Sequence, residues 1–302
     1  MQQRSGGVEE FSSARQPRHR GQPRRIRHLR DPRVPQSAER AEPPATRRRK
    51  PPPPAPERDW AWFFDIDGTL VEIAQTPDSI VVPGDLTPLI SRLSWLFDGA
   101  VALITGRAIA DVDSVLPLQG IAIAGQHGLE IRSSNGSTAT HAVRAERLNC
   151  IRTALLEAVE KHPGLIAEYK GLSIALHYRH APALASFAHR LMRELRGRYA
   201  PDFVIQRGKR VVELKPAGRD KGVAIAEMMS DAPFSGRVPV FVGDDVTDEI
   251  GFKVVNRMGG HSIKIGPGRT NATWRLKNVK ALRSWLQEST ANLVDAHEAH
   301  RS

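Results

Sequence analysis

The sequence is nearly without cysteine. Cys150 is its one thiol among 302 residues, which excludes an internal disulfide framework and fits a reducing compartment. Long apolar runs are also missing. No stretch approaches the ~18 apolar residues that a membrane span needs. The N-terminus lacks the short apolar core of a signal peptide. These absences lead to the expectation of a soluble, cytoplasmic protein with no membrane partner.

Acidic residues are scarce where the chain begins. The formal net charge is +11, and residues 1–58 alone carry 15 Lys/Arg against 6 Asp/Glu. The same segment holds half of the 22 prolines, with "TRRRKPPPP" as its densest part. It has almost no apolar periodicity, so it buries too little to offset the entropy of ordering. Residues 1–58 therefore read as a disordered basic tail. The other reading is an arm for nucleic acid or acidic lipid. No regularly spaced aromatics support that arm, and its partner stays unassigned.

From Trp60 onward strands and helices alternate. Trp60–Phe64 is a continuous apolar run, as in a strand covered on both faces. Leu86–Phe97 has helical spacing, Ala100–Ile104 reads as a strand, Ala108–Leu116 as a short helix and Ile121–Ala124 as a strand. Downstream, Gly222–Met229 and Ile250–Asn256 read as helices, and Val238–Val242 and Ser262–Ile265 as strands. This is an α/β pattern with a Rossmann-like parallel sheet. The middle differs: a hairpin around Asn135–Gly136, helices near Glu146–Lys161 and Ala183–Tyr199, and paired strands at 165–178 and 203–215. The spacing predicts an α+β cap (126–218) inserted into a core made of 59–125 and 219–290, with 291–302 as a C-terminal tail. The inserted stretch carries a net +7. A basic cap over a more acidic core suits an anionic substrate that meets a cation site.

Parallel α/β sheets bind ligands beyond the carboxyl ends of their strands. Asp65 in "FFDIDGTL", Thr105 in "LITGR" and Asp244 in "GDDVTDE" all follow strands. Gathered carboxylates repel unless a cation neutralises them, and carboxylate oxygens with spare water positions suit magnesium. Each motif alone is weak, since Asp-Gly pairs usually mark turns and Asp245 or Asp248 could simply cap a helix. Their joint order on the right elements, with "KG" at Lys221–Gly222 between them, is specific.

"DIDGTL" resembles the signature of the haloacid-dehalogenase superfamily. Within it, "AGQHGLE", "GLSIALHYR", "GKRVVELKPAGRDKGVAI" and "VFVGDDVTDEIGFKVVNRMGGHSIKIG" are similar to the trehalose-6-phosphate phosphatases. The likeness runs from about Trp60 to Leu286 and leaves residues 1–58 outside. It implies hydrolysis of the small molecule trehalose 6-phosphate, the last step of trehalose biosynthesis, with Mg2+ as cofactor. Asp65 would be the nucleophile. Asp67 would protonate the leaving sugar oxygen and later deprotonate water. The metal would be held by Asp65, the Asp67 backbone carbonyl and Asp244. Thr105 and Lys221 would bind phosphoryl oxygens, while Asp245 and Asp248 would support the metal shell and Lys221.

The resemblance also nominates Gly106, Arg107, Glu130, Arg179, Lys209 and Glu213 as substrate contacts. Lys170 and Lys215 are weaker candidates. Arg107 could equally be a surface residue at a helix start. His177 alternates with Tyr178, so it reads more as core or surface than as a ligand. Met258–Gly260, Trp274 and Trp285 read as packing. Another magnesium-dependent sugar phosphatase or phosphomutase would use the same core motifs. An inert binding protein would have lost a motif aspartate, and none is lost. Nothing in the folded part points to nucleic acid.

Overall fold

The computed structural model describes residues 50–74, 79–141, 145–291 and 293. Most of the basic N-terminal stretch and the C-terminal tail expected at 291–302 fall outside the described residues. In chain order the first elements are β1 (Trp60–Phe64), α1 (Leu86–Leu96), β2 (Val101–Ile104), α2 (Ile109–Val115), β3 (Ala122–Gly125), β4 (Glu130–Arg132) and β5 (Thr138–Thr140). Next come α3 (Ala145–Lys161), β6 (Ile166–Tyr169), β7 (Ile174–His177), α4 (Ala185–Tyr199), β8 (Phe203–Gly208) and β9 (Val211–Pro216). The chain continues with α5 (Lys221–Met228), β10 (Val238–Gly243), α6 (Asp248–Arg257), β11 (His261–Ile265), β12 (Trp274–Leu276) and α7 (Val279–Ser289).

The larger sheet has the order β12-β11-β10-β1-β2-β3-β4-β5. Its first six strands are parallel, and β4 and β5 close it antiparallel. Every residue of β1 is buried, as a central parallel strand requires. Its alternation divides the core. Trp60, Trp62 and Phe64 pack with Leu89, Leu93, Leu282 and Leu286 on one face. Ala61 and Phe63 pack with Ile225, Phe252 and Val255 on the other. Successive side chains point to opposite faces, so helices must cover both. The expected α/β class and parallel core are borne out.

The segment expected to form the cap is divided. The hairpin β4–β5 pairs with β3 and so extends the core sheet. A separate antiparallel sheet, β6-β7-β9-β8, carries α3 and α4 on one face. The local pattern of a hairpin is the same in either place, and only its partner strand distinguishes them. In β9, Val212 and Leu214 enter the apolar cluster under those helices. Glu213 and Lys215 therefore face the other way, as the period of two dictates.

Two more differences from the sequence reading concern the ends. Trp274 lies in a strand and Trp285 in α7, elements that short and interrupted apolar patterns concealed. Residues 50–58, expected within the disordered tail, lie against the core. Pro53 and Pro56 are buried. Arg275 N–H donates to the Pro51 carbonyl at 3.3 Å, and Arg237 Nη1 to the Arg58 carbonyl at 2.8 Å. Proline has a fixed φ, so ordering it loses less entropy than composition alone suggests. A chain starting at residue 58 is expected to melt roughly 4–8 °C below one starting at residue 50, reflecting about 2 kcal/mol of lost contacts. Calorimetry on the two truncations checks this, and equal melting temperatures would refute the docking.

Candidate active site

Lys221 organises the carboxyl edge of the core sheet. Asp220 caps α5 by accepting the Val223 N–H at 2.9 Å, which makes Lys221 the first residue of the helix. A cation there opposes the helix dipole. Two carboxylates compensate: Nζ donates to Asp65 Oδ1 at 2.7 Å and to Asp248 Oδ1 at 2.6 Å. Burial would lower the Lys221 pKa, but Asp248 and then Asp65 override it and hold it above the usual lysine value. The other Asp248 oxygen accepts the N–H groups of Asp244 and Asp245, both at 2.8 Å. Asp248 thus fixes the ammonium and the turn after β10 together.

Asp65 follows β1, with its N–H donated to the Val242 carbonyl at 2.9 Å. Carboxylate oxygens of Asp65, Asp244 and Asp248 lie within 4.8 Å of one another, and all three residues are buried. Burial pushes Asp65 well above the usual carboxylate range; Lys221 pulls it down, and Asp248 and Asp244 push it up again. Burial raises Asp244 too, against the Lys209 ammonium that donates to its Oδ2. Lys264, 5% exposed, donates to the Asp244 carbonyl. Such an acid-rich pocket favours a further cation. Gly68 brings the turn after Asp67 close: its φ is 85°, and a Cβ there would lie 2.4 Å from Asp244 Oδ2. Oxygen donors and a tight backbone approach fit a hard divalent ion.

Asp67 sits higher, and Arg107 grips it with two bonds, Nε to Oδ2 and Nη2 to Oδ1, each 2.7 Å. The cap sheet covers these groups and leaves a cavity of about 180 Å³. Asp65, Asp67, Gly106, Arg107, Lys221, Asp244 and Asp245 line it from the core. Lys170, His177, Arg179, Lys209 and Glu213 line it from the cap. Arg179 reaches across to the Ala74 carbonyl. His177, read as a core or surface residue, instead faces the cavity and pairs with Glu168 Oε2 at 2.7 Å. Thr105 is fully buried, and its Oγ1 accepts the Arg107 N–H at 3.1 Å. Three candidates for substrate contacts do not line the cavity: Thr105, enclosed beside the Arg107 amide, Lys215 and Glu130. Lys215 donates to the Arg219 carbonyl, and burial lowers its pKa to about 8. Glu130, nominated as a substrate contact, does not line the cavity; Oε1 accepts the Ile109 N–H at 2.8 Å and Gln126 Nε2 at 3.1 Å. Its strand lies in the core sheet, which directs it to α2.

The family model described as trehalose-phosphatase matches residues 63–280. The chain belongs to the trehalose-phosphatase family. A relative from Escherichia coli K12, "Trehalose-6-phosphate phosphatase", is 44% identical over 80% of this chain and 91% of its own. The Candida albicans trehalose-6-phosphate phosphatase C-terminal domain shares the fold at 21% identity and TM-score 0.67, over 76% of this chain and 91% of that one. A haloacid dehalogenase-like hydrolase from Bacteroides thetaiotaomicron also shares it, at 15% identity and TM-score 0.53, over 75% and 98%.

In this member of the trehalose-phosphatase family, several polar groups at or beside the site escaped the sequence reading, Glu168 and Gln206 of the cavity wall among them. Lys264 was visible as a lysine inside the apolar strand "HSIKI". His127 and Gln126 sit in "AGQHGLE", and Ser173 in "GLSIALHYR". Ser173 Oγ donates to Glu213 Oε1 at 2.6 Å, and Lys170 Nζ lies 3.3 Å from Glu213 Oε2. Burial would raise Glu213, but Lys170, His127 and Ser173 hold it well below its usual range. Gln206 Nε2 lies 2.7 Å from His127 Nε2, and burial lowers the His127 pKa to about 4.

The folded state therefore binds fewer protons at His127 than the unfolded chain between pH 6.5 and 4. Stability falls as pH drops through that window. From pH 7 to 5 the loss from this residue is about 2 kcal/mol. Urea unfolding of wild type and His127→Gln at both pH values checks it. The variant should lose less stability on acidification, and parallel losses would place the sensitivity elsewhere.

Proposed function

We propose that the chain hydrolyses trehalose 6-phosphate to trehalose and phosphate in two steps, completing trehalose biosynthesis. The observation that carries this reading is Asp65, buried against Lys221 at the floor of a cavity whose wall bears Asp67. In the first step an Asp65 oxygen attacks phosphorus, the bond from phosphorus to the sugar oxygen breaks, and Asp67 gives that oxygen a proton. In the second, water attacks the aspartyl phosphate, Asp67 takes its proton, and Asp65 leaves with the bonding pair. Lys221 and Thr105 offset charge on the phosphoryl oxygens. Asp67 must leave Arg107 to hold a proton, and the arriving phosphate is the competing partner for that guanidinium.

The Asp65 and Asp244 carboxylates and the Asp67 backbone carbonyl would hold magnesium, which when bound neutralises phosphoryl charge. Lys209 would release Asp244 and turn to substrate. The cavity, about 180 Å³, is smaller than the ~300 Å³ at which small-molecule sites begin. Entry of a disaccharide phosphate therefore requires the cap to move. A cytoplasmic setting belongs to the same reading, since a chain with one cysteine has no internal disulfide to keep.

Phosphate release from a panel of sugar phosphates, with and without magnesium, tests the reading. Trehalose 6-phosphate with magnesium should be the preferred condition. Preference for another sugar, or phosphoryl transfer between two positions of one sugar, would favour a related phosphatase or a phosphomutase. Asp65→Asn should lower turnover by at least about four orders of magnitude. Retention of a tenth of wild-type turnover would remove Asp65 from the nucleophile's role.

Substrate choice is expected to lie with the cap. Arg179→Ala should lower kcat/KM for trehalose 6-phosphate at least roughly tenfold, about 1.4 kcal/mol. Hydrolysis of p-nitrophenyl phosphate, which has no sugar to read, should change little. Equal losses on both substrates would assign Arg179 to the fold or the chemistry instead.

A further inference from the structure

The Thr105–Arg107 loop presents three backbone carbonyls to its surroundings, and each is held. His127 N–H donates to the Thr105 carbonyl and Gln126 N–H to the Arg107 carbonyl, both at 2.8 Å. The cap supplies the third bond, from Lys170 Nζ to the Gly106 carbonyl at 3.1 Å. Gln126 and His127 have φ of 46° and 59°, a left-handed conformation that costs a non-glycine residue about 1–2 kcal/mol. Contacts must maintain it.

The Gln126 side chain, 2% exposed, uses both ends. Oε1 accepts the Leu172 N–H at 3.2 Å and lies 3.4 Å from the Ser173 hydroxyl, whose proton goes to Glu213; both residues belong to the turn before β7. Nε2 donates to Glu130 Oε1 at 3.1 Å, and that same oxygen accepts the Ile109 N–H at 2.8 Å. Ile109 begins α2, whose N-cap is Ala108 and offers no side-chain oxygen. Glu130 supplies the missing cap from a distance. A continuous set of bonds therefore joins a cap turn to the helix directly after the loop that carries Arg107.

We propose that Gln126 is a positioning residue that couples closure of the cap to the Thr105–Arg107 loop through Glu130. With the cap open, Leu172, Ser173 and Lys170 withdraw together. Gln126 then loses its cap partners, the strained turn is released, and the loop is no longer held on all three carbonyls. With the cap closed on a disaccharide, Thr105 and Arg107 are set for chemistry. A small ester does not bring the cap down, so its hydrolysis proceeds at a rate that does not depend on Gln126. The inference rests on the phosphatase reading above.

The test measures phosphate release by the magnesium-loaded enzyme from trehalose 6-phosphate and from p-nitrophenyl phosphate. Gln126→Ala should lower kcat on the sugar phosphate at least roughly tenfold, with KM within about threefold and the small ester within about twofold. Gln126→Glu sets a carboxylate against Glu130 and should be at least as impaired. Hydrogen exchange at the Ile109 amide should quicken in both variants. Should Gln126→Ala not fold, Gln126→Glu, which keeps the side-chain volume and an acceptor for Leu172, carries the comparison. Unchanged kcat on the sugar phosphate, or equal losses on both substrates, would each overturn the coupling. A wild type inactive on trehalose 6-phosphate would instead sink the phosphatase reading, and exchange at Ile109 would still report on the bond relay.

Discussion

The Lys221 ammonium, buried between Asp65 and Asp248, is the contact on which the site depends. Taking three charges from water is expensive, and their mutual attraction repays it only when every hydrogen-bond position is used. Here the arrangement is well supplied. Asp248 spends one oxygen on Lys221 and the other on two backbone amides. Asp65 gives one oxygen to Lys221 and the other to the Thr69 hydroxyl at 3.3 Å. The triad ties the ends of β1 and β10 to the starts of α5 and α6, so the Asp65 carboxylate, its neutralising cation and the acidic pocket share one rigid frame.

Acid still outweighs base around that frame. Asp244 is left to Lys209 from the cap, a side chain 52% exposed. The buried cation belongs to the core, and the exposed one to the cap. This division explains why the cap is basic and why its inner face carries Glu213, Lys170 and Ser173 as a closed network rather than as separate solvated charges. With that network complete, Arg179 and Lys209 are cap cations of the cavity that lie outside it.

The amino-acid order made much of this legible. Five apolar residues followed by Asp65 announced a central strand and the acid beyond its carboxyl end, because a strand buried on both faces tolerates a carboxylate only beyond its last pair. The alternation in "VVELKP" told that Glu213 and Lys215 share a face, though not that one meets the cavity and the other a backbone carbonyl. Glu130 was misplaced because its motif was legible while its sheet was not. Lys264 and Gln126 passed unnoticed because a lone polar residue in an apolar setting has no meaning until its partner is known.

Local order along the chain determined the elements, the carboxyl-edge acids and the family, since period, turn chemistry and motif spacing are properties of near neighbours. Tertiary structure alone decided which sheet takes the β4–β5 hairpin, which residues 50–58 dock on the core, and how Gln126 joins the cap to α2. The last two outcomes rest on pairs far apart in the chain, Arg275 with Pro51 and Leu172 with Gln126. Their energies arise only when folding brings the partners within hydrogen-bond reach and removes the water between them.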